Sequence, residues 1–553
     1  MVQKDLNAQH LESLVDFLSE PLVTSLFAWH PNDLGSASFQ PPDEWQGWWL
    51  WAGGEMHGER DHDAHASDPW MLLLRYYDSC RRISDETIAG SSLRLPEGFQ
   101  TIPAPLRSLM QNASTLASPR QRGHIIYPEP GGADQTLAHT AFSSHENDHR
   151  RVDAFRGMSP KKAHEVAEMT SFIRAMTIDF PSISDIRMAV DVGAGQGYLS
   201  RALRDDCGLH VLALDYSYVQ TQGAAKRDAA NKPKRRPEAL PNDPHEASTT
   251  RQTGHHADEA QASDAEPLRG SLTYVTAKID ANSLREATRA WIEGEGSNAV
   301  VDFSSSQIKS EQRNPVPVLF VALHACGSLT PDILRAFTAQ HRASSATASW
   351  TPRAAVVVGC CYNMMRSEDF LLSRALRSSQ AGSNFKLSPS HLQLAAQVPA
   401  EWMRSEETLH QARLALRKIV WRALIQDVLH PPQEASADSG MPGGPKVRVQ
   451  GPHDNAVTTE ERRSKRLGRL NDAAYAEWET FAHRVRAKLG LHQGTLERAD
   501  RARERRIEVF HVLRCIVGPV IESLIMLDRA VWVAEELQAS SHSSCCLFVA
   551  QTL

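Results

Sequence analysis

The feature that most constrains this chain is a glycine-punctuated turn between an apolar run and a helix-like segment. It reads Met188-Ala-Val-Asp191-Val-Gly193-Ala194-Gly195-Gln196-Gly197, then Tyr198-Leu-Ser-Arg-Ala-Leu. Glycines at this spacing let the backbone leave a strand, turn sharply and approach a ligand where a Cβ would clash. The helix that follows offers unpaired N–H groups at its start. The next apolar run, Val211-Leu-Ala-Leu-Asp215, ends in a carboxylate 20 positions after Gly195. An acid at that strand end accepts hydrogen bonds from ribose hydroxyls, so the two features together predict a nucleoside-containing ligand. The dinucleotide fingerprint asks for Gly or Ala at position 198, where this chain has Tyr198, so a nicotinamide-dependent oxidoreductase is the weaker reading.

The surroundings predict the fold. Short apolar or β-branched runs recur at 209–214, 272–276, 316–323 and 354–358, each separated from the next by helical or loop sequence. That alternation predicts an α/β fold with a doubly wound parallel sheet buried on both faces. Ser159 and Pro160 open the helix that leads into the first strand, as cap and first helical residue. CCLFVA at 545–550 reads as a terminal strand.

The rest divides by composition. Residues 1–125 form a helical N-terminal region, with Leu11, Leu14, Val15, Leu18, Leu22 and Leu26 at helical spacing and Pro21 dividing the run. WQGWWLW at 45–51 reads as core packing. Residues 126–157 read as a linker and 158–430 as the α/β domain. Segments 223–270 and 431–468 carry almost no large apolar side chains and are expected to be disordered. Their basic runs, KPKRRP and RRSKR, read as solvated charge or as phosphate-contact patches. Residues 469–553 form a helical extension, with Val512–Leu527 expected as a buried helix pair interrupted at Gly518-Pro519.

A second group of chemistry-bearing residues falls at the ends of the fourth and fifth strands, in His324-Ala-Cys326-Gly327 and Gly359-Cys360-Cys361-Tyr362-Asn363. Ligands of doubly wound sheets bind outside the carboxyl ends of the strands. His324 is therefore a candidate general base, and Cys360, Cys361 and Asn363 are candidate catalytic residues, with Tyr362 lining the acceptor site. A cysteine nucleophile and a zinc site on His324, Cys326, Cys360 and Cys361 are alternatives. H-x-C with vicinal cysteines is not a usual chelate spacing, and neighbours on an extended strand face opposite ways, so no metal is expected.

The D-x-G-x-G-x-G spacing resembles the S-adenosylmethionine loop of class I methyltransferases. Six ordered blocks carry a closer resemblance: MSPKKAHEV (158–166), DVGAGQGYLSRAL (191–203), VLALDYS (211–217), LHACGSLTPDILRAF (323–337), GCCYNMM (359–365) and FHVLRCIVGPVIESLIMLDR (510–529). Together they resemble the methyltransferase-like protein 25 family, which includes a protein named for a ribosomal RNA adenine dimethylase domain. The resemblance implies a class I, Rossmann-like methyltransferase fold and S-adenosyl-L-methionine as cofactor. Asp191, Gly193, Ala194, Gly195, Gln196, Gly197 and Asp215 would hold it, with Asp280 near the adenine amine. The His-x-Cys-Gly and paired-cysteine blocks are also similar to a tRNA ribose methyltransferase family, which points to RNA or an RNA-associated protein as acceptor. Lys161 and Lys162 would then meet phosphates. No Asn/Asp-Pro-Pro-Tyr/Phe follows the fourth strand, so amino methylation of adenine finds no support, and a non-catalytic scaffold that binds RNA or a protein is the alternative function.

Composition bounds the setting. Lys+Arg number 60 against Asp+Glu 66, for a net charge of -6, so contact with a polyanion must come from local basic patches. Eight cysteines, two pairs of them vicinal, do not make a secreted disulfide framework. With no secretory leader or membrane span expected, the reading is a cytoplasmic or nuclear protein.

Overall fold

In the computed structural model the described residues are 2–36, 38–55, 68–88, 99–118, 157–230, 270–294, 314–343, 348–429, 467–492, 494, 496, 500–538 and 546–550. The expected linker up to 156, most of the two low-complexity segments and both basic runs lie outside them. The chain divides into two units. One comprises Met1–Ala8, Pro119–Ser383 and Ile525–Leu553; the other comprises Gln9–Ser118 and Asn384–Leu524.

The first unit is built on a six-stranded sheet: β1 (Met188–Val192), β2 (His210–Asp215), β3 (Leu272–Thr276), β4 (Val316–Cys326), β5 (Trp350–Cys360) and β6 (Cys546–Ala550). The order is β3-β2-β1-β4-β5-β6, and every pairing is parallel. Strand alternation explains the two-sided burial. Met188, Val190, Val192, Val318, Phe320 and Ala322 enter one core with Ile333, Leu334 and Phe337 of the helix Leu329–Ala343. Ala189, Val211, Leu319 and Val321 point the other way, against Val166, Met169, Ile173 and Met176 of the helix Pro160–Asp179. Full burial of each such side chain contributes roughly 1.5–3 kcal/mol. This is the class I methyltransferase architecture, a Rossmann-like sheet covered on both faces. Ser159 caps the leading helix by accepting the Lys162 N–H.

Strand order reverses at β1, whose neighbours are β2 and β4. The glycine loop leaves β1 and the His324–Cys326 segment ends β4, so the two sequence signals flank the topological switch point. β4 is irregular there. Ala322 pairs with Val357, but Ala325 pairs with Gly359, which leaves one extra residue on β4 across Leu323–His324. This β-bulge shifts the strand's phase, so Ala325 rather than His324 returns to the core with Phe320 and Ala322.

The second unit is helical. It includes Pro21–Ala28, Gln46–Gly53, Pro69–Ile88, Ala104–Leu116, Glu406–Leu424 and Trp478–Leu489. Pro21 opens its own helix, as its fixed φ favours. Trp45, Trp48, Trp49 and Trp51 are buried, with Trp45 beside Phe510. The tryptophan run is core.

Three sequence boundaries need correction. The helix after β2 runs Tyr218–Ala230, so the expected disordered insert cannot begin at 223; Ala224 is buried and holds that turn down. Leu467 is buried, so the second low-complexity segment ends before it. The expected helix pair is one helix, Arg501–Gln538, with Pro519 inside it. By length and composition that helix could cross a membrane, but most of its apolar stretch is buried in the fold, as in a core helix.

Candidate functional site

The glycine loop is fixed from both ends. The N–H groups of Gly193 and Ala194 donate to the Leu214 carbonyl at 2.9 Å, and the Gly195 N–H donates to Asp215 Oδ2 at 2.9 Å. Asp215 Oδ1 accepts the Ser217 N–H at 2.8 Å. The carboxylate is buried and held by two backbone donors, and its remaining lone pairs are unused by these bonds. Gly195 has φ +54, and a Cβ built on it would meet nothing within 4 Å. Gly197 is different: with φ +66, its Cβ would come within 2.9 Å of the Tyr274 ring. One glycine leaves space open, and the other lets β3 pack against the loop.

A cavity of about 430 Å³ opens beside this loop, lined by Lys162, Gly195, Gln196, Asp215, Tyr216, Ser217, Gln220 and Arg227. That volume is in the range of small-ligand pockets. Tyr216 is 79% exposed at its edge, an aromatic face left in water. Gln196 donates to Gln220 and accepts from Arg227, which ties the loop to the helix Tyr218–Ala230. Lys162, Arg201 and Arg227 gather around the Tyr198 ring at 5.3, 5.0 and 5.8 Å, and the Tyr198 hydroxyl donates to the Gly157 carbonyl. Tyr216, Ser217, Gln220 and Arg227 were missed in the sequence. For Tyr216 and Ser217 the signal was position alone, in the turn directly after the acid that ends β2; Gln220 and Arg227 lie on the helix Tyr218–Ala230, and Arg227 falls within the segment expected to be disordered.

Two acids from the sequence reading occupy other places. Asp191 lies beneath the loop, with its Oδ2 accepting the Ser200 hydroxyl at 2.6 Å, and burial pushes its carboxyl up to about 6. Asp280 is an exposed helix cap: its Oδ1 accepts the N–H groups of Asn282 and Ser283, each at 2.9 Å, in a capping box with Ser283. Those bonds hold its carboxyl below the usual range.

At the end of β4, the bulge turns His324 out of the sheet. Its Nε2 is 3.5 Å from Glu165 Oε2. Burial lowers the imidazole's pKa, partly countered by Glu165. Lys161 is largely exposed and pairs with Glu165 at 3.6 Å. Tyr362, read as a substrate contact, is buried, with the Arg529 guanidinium over its ring at 5.8 Å, so it belongs to the packing under the site. Asn363 is exposed in the turn Tyr362–Met364.

The cysteines overturn one geometric expectation. Cys360 ends β5, but Cys361 is left-handed, at φ 47 and ψ 46. The pair is therefore not extended, and the thiols of Cys326, Cys360 and Cys361 lie within 4.8 Å of one another. Cys326 and Cys360 are paired across the strands, with sulfurs 3.2 Å apart. Hydrogen bonds from Cys360 and then Cys361 push the Cys326 thiol down to about 6, while Cys360 and Cys361 are raised. Cys326, which the sequence reading left out of the catalytic set, is the acidic thiol.

The sheet order, the loop and the fixed acid at the end of β2 define a class I methyltransferase fold, and residues 161–368 match the family model described as a methyltransferase domain. Two proteins named probable methyltransferase-like protein 25 are similar to this chain. The chain is 24% identical to the probable methyltransferase-like protein 25 of Mus musculus, over 70% of this chain and 73% of that protein. To the Homo sapiens protein of the same name it is 22% identical, over 68% and 70%. No solved structure matches.

Proposed function

We propose that the chain is an S-adenosylmethionine-dependent methyltransferase acting on RNA or an RNA-associated protein. The observation that carries the reading is Asp215, a buried carboxylate pinned by the Gly195 and Ser217 N–H groups on the wall of the cavity. A carboxylate fixed in this way accepts ribose hydroxyls without reorganising. The open space at Gly195 supports the close approach of a nucleoside. Gly193, Ala194, Gln196 and Gly197 shape the loop, and Asp191 supports it from below.

Bound S-adenosylmethionine would supply an electrophilic methyl group on a sulfonium. The chain must then orient an acceptor and remove its proton. His324 suits proton removal, because the bulge aims it out of β4 at the switch point and Glu165 steadies its ring. Asn363 stands on the exposed turn after β5. Lys162, Arg201 and Arg227 beside the cavity support a polyanionic acceptor. With an RNA acceptor the protein would work in the cytoplasm or the nucleus.

The test is transfer of labelled methyl from S-adenosylmethionine into RNA and protein fractions of an extract lacking the protein, with calorimetry of cofactor binding alongside. Wild type should bind and transfer, Asp215→Ala should do neither, and His324→Ala should bind without transferring. Absence of cofactor binding by the wild type sinks the reading. Binding without transfer into either fraction favours the scaffold.

A further inference from the structure

We propose that Cys326, Cys360 and Cys361 form a three-thiolate site for zinc, with the fourth coordination position left to a ligand from outside the chain. Nothing in the methyl-transfer reading requires this site, and its test does not depend on that reading.

The geometry comes from the sheet. Cys326 and Cys360 are register partners at the carboxyl ends of the parallel strands β4 and β5. Alternation alone would send the next side chain to the opposite face. The left-handed backbone of Cys361 cancels that alternation and brings a third sulfur to the same point. A non-glycine residue in this conformation costs roughly 1–2 kcal/mol, so the turn is held by its surroundings. The Gly327 N–H donates to the Cys360 carbonyl at 3.0 Å, and the Met364 N–H donates to the Cys361 carbonyl at 2.9 Å. Gly327 is itself close-packed, since a Cβ there would meet the Met364 carbonyl oxygen at 2.6 Å.

Three sulfurs on zinc, at about 2.3 Å each in tetrahedral geometry, sit about 3.8 Å apart. The sulfurs here lie 3.2 Å apart for Cys326 and Cys360, and all within 4.8 Å. Adjustments of a few tenths of an ångström to about 1 Å would bring them to the ion. A disulfide between Cys326 and Cys360 would leave the third thiol without a role, whereas a metal uses all three. Soft thiolate donors select zinc or copper(I) over hard cations, and zinc takes a fourth ligand readily. Bound to the ion, all three sulfurs are thiolates; whichever of them are still protonated release their protons to solvent, with no change of oxidation state. The product carries one net negative charge. The site stands beside His324, so an oxygen, nitrogen or sulfur donor of an incoming acceptor is the class of fourth ligand it would take.

The experiment uses the full chain, purified reduced, loaded with zinc and passed through metal-free buffer. Metal content is read by mass spectrometry, and a parallel sample is loaded with cobalt(II) for its absorption spectrum. The expected result is one zinc per chain and the intense thiolate-to-cobalt and visible bands of a tetrahedral thiolate site. Cys361→Ser and Cys326→Ser should each lose the metal and those bands, while Cys207→Ser keeps both. Circular dichroism checks that the variants fold; if Cys326→Ser does not, Cys361→Ser, at a half-buried position just past the end of β5, decides. A chain that holds no zinc, zinc unaffected by Cys361→Ser, or a Cys326–Cys360 disulfide in the metal-free native chain would each overturn the proposal.

Discussion

Asp215 Oδ2 accepts the Gly195 N–H at 2.9 Å, so the end of β2 and the loop after β1 are one rigid piece. Replacing Asp215 with Asn removes the charge and presents either an amide oxygen or an N–H to that donor. A hydrogen bond to a charged group is worth about 1.5–3 kcal/mol. Asp215→Asn should therefore weaken S-adenosylmethionine binding roughly 10- to 100-fold by calorimetry, with the fold retained by circular dichroism. Unchanged affinity would remove Asp215 from the binding role.

Gly195 and Gly197 should separate under the same substitution. Both have positive φ, so Ala costs about 1–2 kcal/mol of backbone strain at either. At Gly197 the added Cβ also strikes the Tyr274 ring, whereas at Gly195 it enters open space beside the cavity. Gly197→Ala should lower the melting temperature more than Gly195→Ala does. Gly195→Ala should lose cofactor affinity out of proportion to its stability. Equal melting temperatures would contradict the Tyr274 contact.

What was legible in the sequence follows from how local its cause is. The strands and their order of appearance were readable because a strand buried on both faces needs a short unbroken apolar run, as in Val318–Ala322. The loop glycines and Asp215 were readable because their spacing is set by one strand–turn–helix unit. The bulge at His324 was not, since it is a mismatch between β4 and β5 that neither strand displays alone. Cys361 misled for a similar reason: alternation was extrapolated one residue past the strand's end, where the backbone is left-handed and the Gly327 and Met364 N–H groups hold the Cys360 and Cys361 carbonyls. Pro519 read as a break because the rule is local, yet Gly518 packs against the Leu394 carbonyl and the helix continues through both. Tyr362 read as a site residue from its neighbours, and only packing beneath Arg529 reveals it as core.

The C-terminal helix should prove essential to the methyltransferase unit through Asp528. Its buried carboxylate accepts the N–H groups of Leu372 and Ser373, at 2.6 and 2.9 Å, and the Ser373 hydroxyl at 2.6 Å. Leu371, just before them, is left-handed at φ 58. Asp528→Ala strands two buried amide donors and a hydroxyl, at roughly 1–3 kcal/mol for each group left unsatisfied. A loss of about 3 kcal/mol or more in urea unfolding is expected, with Arg404→Ala, at the surface, within about 0.5 kcal/mol of wild type. A mild effect at Asp528 would mean that water replaces the carboxylate.

Asp191 should make stability fall as pH rises through the mildly acidic range. Burial pushes its carboxyl up to about 6 from an ordinary 3.8, with Asp215 adding a smaller repulsion and the Ser200 hydroxyl opposing both. A carboxyl raised by the fold binds its proton more tightly folded than unfolded. Below the unfolded value both states are protonated and the group is neutral toward folding. Between the two values the unfolded chain releases the proton first, so stability declines; above about 6 the decline is complete, at roughly 3 kcal/mol. Asp191→Asn cannot ionise and keeps an amide oxygen for the Ser200 hydroxyl. Its melting temperature should match wild type at about pH 4 and exceed it from about pH 6 upward, the gap opening between those values. Parallel melting curves across that range would mean that the buried acid is better solvated than its 2% exposure implies. A gap of the expected sign would identify Asp191 as an acid that the glycine loop carries at the expense of stability, as functional sites commonly do.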